Sequence, residues 1–140
     1  IEICRHGIVT DYYLEKNQKK FFFDIIDAAS KFGRKVFIKQ KRSNSFRLPP
    51  AYTKLFNQLA MMPNVELVDP DISAYRLINN AAGVISMPFT STAHIAEYLG
   101  KPSVFYDFTS RISDSEPTGL GVPMIQSPKE LNEWISRLPN

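Results

Sequence analysis

Three consecutive hydroxyl residues, Thr90, Ser91 and Thr92, follow an apolar run at 83–87 and open a segment with helical spacing that ends at Leu99-Gly100. That order puts the hydroxyls where a strand stops and a helix starts. The first amides of a helix lack intrahelical acceptors, and its N-terminal end carries partial positive charge. Such a junction therefore suits an anion, with phosphate the obvious guest. Capping the helix takes one hydroxyl. The surplus would donate to phosphate oxygens beside the backbone N–H groups. Neither a glycine-rich P-loop nor a GxGxxG is present, so a Walker nucleotidase and a classical dinucleotide fold lack support.

Cations gather elsewhere. Lys39, Lys41 and Arg42 leave a short apolar strand, Val36-Phe37-Ile38, whose alternation places Phe37, Lys39 and Lys41 on one face if the strand continues. A cation there would neutralise a departing phosphate and so lower the barrier to transfer. Lys35 and Arg34 read as a solvated face. Asp69-Pro70-Asp71 reads as a turn, whereas Asp107, after Phe105 and Tyr106, is a candidate contact to a sugar or ribose hydroxyl. His94 and Glu97, three apart on one helix, read as a surface pair.

The elements that must hold these residues follow from periodicity. Helices are expected at about 17–32, 52–62, 73–80 and 91–99, and a last one behind the capping box Ser127-Pro128-Lys129-Glu130. Strands are expected at 36–38, 65–68, 83–87 and 103–106, with a further one at 1–4 and a loop after 106 broken by Pro117, Gly119, Gly121 and Pro123. Alternating strands and helices predict an α/β, Rossmann-like three-layer domain with a mostly parallel sheet and helices on both faces. Right-handed crossovers would then bring the polar clusters at 39–42, 69–71, 90–92 and 107–111 to the carboxyl ends of the strands, where open sheets bind ligands.

Composition narrows the partners. A length of 140 residues with 44% hydrophobic content suits a single domain, 1–140. The net charge of +3 divides into +6 over residues 1–50 and −3 over the rest. Nucleic acid is disfavoured because no aromatic platform accompanies the basic stretch. A lone Cys4 with His6 and His94 gives no metal-ligand set, and no run is long enough to span a membrane. The chain begins at Ile1, and we read it as a piece of a longer parent.

Ser86-Met87-Pro88-Phe89-Thr90-Ser91-Thr92, followed by Gly100-Lys101-Pro102-Ser103-Val104-Phe105-Tyr106-Asp107, resembles the bacterial surface-polysaccharide biosynthesis proteins named for a Pro-Phe-Thr-Ser motif. More broadly the chain is similar to the C-terminal, nucleotide-binding half of GT-B glycosyltransferases. That resemblance implies a metal-independent glycosyltransferase needing no cofactor. Its donor, a CMP-, UDP- or GDP-linked sugar, would lie on this half, and an N-terminal acceptor domain would supply the rest. Lys39, Lys41, Arg42, Thr90, Ser91 and Thr92 would hold donor phosphate, with Ser86 and Asp107 as sugar or ribose contacts. Many UDP- or GDP-sugar transferases of this fold carry a ribose-binding Glu where this chain has Ile95, so ribose recognition must come from elsewhere or the donor differs. The implied location is cytoplasmic or peripheral at the inner membrane, and the isolated piece would be inactive. Two alternatives stand beside this reading: a non-catalytic Rossmann-like interaction module, and a transferase building glycerophosphate-type polymers.

Overall fold

A computed structural model describes residues 15–39, 50–69, 71–88, 90–109 and 121–140. Along them run α1 (Glu15–Lys31), β1 (Val36–Lys39), α2 (Pro50–Ala60), β2 (Val65–Val68), α3 (Ala74–Asn79), β3 (Val84–Ser86), α4 (Ser91–Tyr98), β4 (Ser103–Tyr106), β5 (Met124–Ile125) and α5 (Pro128–Ser136). Every strand pairing is parallel. Helices intervene between β1 and β2 and between β3 and β4 because parallel neighbours need a crossover of this length. The protein is α/β and roughly Rossmann-like, as the alternation predicts. The strands form two small sheets, β1-β2 and β3-β4-β5. They fall in two compact units, Ile1–Ile72 and Ser73–Asn140.

In the first unit, Ile38 and Val65 present the buried face of the β1-β2 pair, packed by Ile26 of α1 and by Leu55 and Leu59 of α2. The rings of Phe22 and Phe56 meet edge to face at 5.8 Å and join the two helices above it. Asn64 locks the approach to β2, its side-chain amide donating to the carbonyls of Ile26 and Arg34, both at 3.3 Å. The opposite face carries Phe37, 47% exposed, beside the Lys35–Glu66 ion pair of 2.6 Å.

The second unit is built on β4, every residue of which is buried. α4 is tied to it by Ser103, whose hydroxyl donates to the Ala93 carbonyl at 3.0 Å. α5 closes against the start of β3 at Gly83. A Cβ there would stand 2.6 Å from Leu138 Cδ2 and 2.9 Å from Trp134 Cη2, so a side chain at 83 would force those two side chains to shift. α1 and α4 end alike. Gly33 and Gly100 take positive φ, and the next N–H reaches back across the turn, Arg34 to Ala29 and Lys101 to Ala96, each at 2.9 Å.

Differences from expectation are local. The segment after 106, expected as loop, includes the short strand β5, which extends the sheet through the pairings Phe105 with Met124 and Tyr106 with Ile125. Two residues are too few to show a period. The expected strand at 1–4 lies outside the described residues. Ser73 stands at an N-cap without making the cap bond, whereas the capping box at α5 forms, Ser127 Oγ accepting from the Glu130 N–H at 3.2 Å. Ser127→Ala is expected to cost about 1 kcal/mol. Urea unfolding followed by the fluorescence of Trp134, the single tryptophan, measures it within the same helix.

Candidate functional site

β3 ends at Ser86, and residues 87–90 turn the chain into α4. Thr90 occupies the N-cap with the extended backbone a cap requires, φ −91 and ψ 147. Its hydroxyl does not cap the helix. It donates instead to the Met87 carbonyl at 3.0 Å, the same carbonyl that the Thr90 N–H approaches at 3.3 Å. The Thr90 side chain thus fastens the turn. The leading amides of α4, on Ser91 and Thr92, have no acceptor among the described residues. The expectation that one hydroxyl would cap this helix is corrected accordingly.

Ser86 is 6% exposed, and its Oγ has no hydrogen-bond partner among the described residues. Register fixes where it points. Ser86 pairs with Phe105 in parallel, and Phe105 shares a face with Ser103 two residues earlier. Ser103 bonds to α4, and the Phe105 ring meets the ring of His94 on α4 edge-on at 5.9 Å. This is therefore the face that α4 covers. The Ser86 hydroxyl, on the last residue of β3, is thus on the α4 side of the sheet at its carboxyl edge. An unpartnered buried hydroxyl costs free energy, which a ligand reaching it would offset.

Asp107 follows β4 directly and is fully buried. Its backbone N–H donates to Ile125 at 2.9 Å. Its carboxylate accepts from the Thr109 N–H at 3.0 Å and from the Thr109 hydroxyl, which shapes the exit from the strand. Asp69 does the same after β2, accepting from the Asp71 N–H at 2.9 Å, in keeping with its reading as a turn former.

Ser86, Thr90, Ser91, Thr92 and Asp107 thus all stand at the carboxyl edge of the β3-β4-β5 sheet. Lys39 belongs to the other unit. It is the last residue of β1, opposite Val68, and alternation puts it on the Phe37 face. Lys41 and Arg42 lie outside the described residues. His94 Nδ1 and Glu97 Oε2 are 3.9 Å apart, and Glu97 Oε1 stands 3.4 Å from where a Cβ on Gly121 would be. Glu97 lies nearly two turns from the α4 start and both side chains are partly exposed, which fits the surface-pair reading. Among the described residues, no group of three or more His, Cys, Asp or Glu side chains is placed to hold a metal. Likewise, no described helix is long and apolar enough to cross a membrane.

Periodicity missed the turned-away Thr90 hydroxyl and the unpartnered one on Ser86. The available signal for the second was a lone hydroxyl among Val84, Ile85 and Met87 in an apolar strand.

A family model described as "Polysaccharide biosynthesis PFTS motif protein" matches residues 2–135, a span that includes the Pro88-Phe89-Thr90-Ser91 turn. No curated protein and no solved structure matches the chain.

Proposed function

The chain belongs to the polysaccharide biosynthesis PFTS motif family, and from that premise we propose that it binds the nucleotide-activated sugar donor of a glycosyltransferase. Membership carries the biosynthetic role, and the donor site is our reading of the geometry. The observation that supports it is the pairing of uncapped amides on Ser91 and Thr92 with a buried, unpartnered hydroxyl on Ser86 at the same sheet edge.

In this reading the donor phosphate sits at the start of α4. It accepts from the Ser91 and Thr92 amides and hydroxyls, and Ser86 bonds the adjoining part of the donor. During transfer an acceptor hydroxyl oxygen attacks the anomeric carbon and loses its proton to a base on the acceptor side. The bond from that carbon to the phosphate oxygen breaks, and its electron pair stays on phosphate. Fixed N–H and O–H donors aimed at that oxygen stabilise the developing charge without reorganising. Asp107 would position the sugar or ribose. The acceptor would lie on a second, N-terminal domain of the parent, with this chain acting as one domain.

Titration of the full chain with CMP, UDP, GDP and their sugars, followed by amide NMR, tests the proposal. Saturable shifts at residues 90–92 are expected with one of the series. Silence there with every ligand, in a folded sample, overturns it.

Ser86→Ala separates function from packing. Removing an unpartnered buried hydroxyl is expected to raise stability by about 1 kcal/mol, while the donor binds more weakly. Urea unfolding and calorimetry on the same sample read the two effects. A variant that loses stability and binds unchanged would mean that this hydroxyl serves the fold alone.

A further inference from the structure

The α1–α2 groove of the first unit holds a small cavity of about 50 Å³, lined by Lys19, Lys54, Leu55 and Gln58. Leu55 is 2% exposed and gives an apolar floor, and two lysines and a glutamine complete the lining. Lys54 and Gln58 are four apart on α2 and so share one helix face across from Lys19.

Lys20 pairs with Asp24, Lys31 with Asp27 and Lys35 with Glu66. Lys19 and Lys54 have no carboxylate partner among the described residues, yet they line one cavity. Two cations without a carboxylate partner among the described residues, lining one groove, make a place that attracts negative charge.

We propose that this groove binds a single phosphate group through Lys19, Lys54 and Gln58. A cavity of about 50 Å³ suits a single small oxyanion. The group therefore enters alone, as inorganic phosphate or as the exposed phosphate of a lipid headgroup, while anything attached to it remains outside. It uses none of the residues of the donor corner and does not rest on that reading.

The test is an amide NMR titration of the full chain with sodium phosphate, matched against sodium chloride at equal ionic strength. A parallel arm measures cosedimentation with vesicles of equimolar phosphatidylglycerol and phosphatidylcholine. Saturable shifts at Lys19, Lys54 and Gln58 with phosphate but not chloride are expected. They should weaken by about tenfold in Lys19→Gln/Lys54→Gln, as loss of charge-assisted bonds predicts, with the rest of the spectrum unchanged. Sedimentation that the double substitution abolishes would assign the phosphate to a lipid headgroup. Shifts at residues 90–92 report the donor corner separately. Equal responses to phosphate and chloride without vesicle binding, or responses that survive the double substitution, overturn the proposal.

Discussion

Phe105→Ala is expected to destabilise the Ser73–Asn140 unit by about 3–5 kcal/mol, the range for truncating a fully buried phenylalanine. Phe105 has no exposed surface and lies in the central strand of its sheet, with Ser86 on one side and Met124 on the other. Its ring meets His94, so it is part of the floor on which α4 rests. The loss is large against the roughly 5–15 kcal/mol that holds a typical domain together. Urea unfolding followed by Trp134 fluorescence and by far-UV circular dichroism measures it. Coincidence of the two transitions is the signature of two-state unfolding. A change below about 1 kcal/mol would mean that α4 is held by something other than this aromatic contact.

Because α4 rests on that floor, the same substitution should also blunt donor binding. The helix can offer its amides only while its axis is fixed. Ser103 supplies the second fixed point, bonding to Ala93 two residues into the helix. The packing of an apolar strand and the geometry of a polar corner are thus one arrangement, held by alternate residues of β4.

Much of this arrangement can be read from residue order. Of the apolar stripe Phe21, Ile25, Ala28, Ala29 and Phe32, the first four bury one side of α1, whereas Phe32 lies past the helix end and is exposed; Gly33 does end the turn there in the left-handed conformation. β2 and β4 run over the residues their apolar composition indicates. α2 begins at Pro50, earlier than its spacing implies, because proline is compatible with a first helical turn although it breaks an interior one. The parallel mode follows from helix-length connections. The number of sheets does not, since it depends on which strand edges meet and no periodicity records that. Hydroxyl direction is equally hidden. Thr90 and Ser127 both stand before helices, yet Ser127 caps its helix and Thr90 bonds backward to Met87. Their surroundings decide: Ser127 is followed by Pro128 and a Glu at the third helical position, whereas Thr90 closes a tight turn over buried Pro88.

Ser91→Asp is expected to move stability and binding in opposite directions. Ser91 is the first residue of α4 and is exposed, so a carboxylate there meets the positive end of the helix and should stabilise it by about 0.3–1 kcal/mol. The same carboxylate occupies the position assigned to donor phosphate and repels it. Affinity for the tightest of CMP, UDP and GDP should fall by about ten- to a hundredfold, or roughly 1.4–2.8 kcal/mol. Ser91→Ala removes the hydroxyl without adding charge and should cost binding far less, because the amide remains. A general loss of fold lowers both quantities together, and a helix start with no ligand raises stability and leaves binding untouched. Only an anion site at this corner makes the more stable protein the weaker binder, and thermal unfolding beside calorimetric titration of the three proteins reads that sign directly.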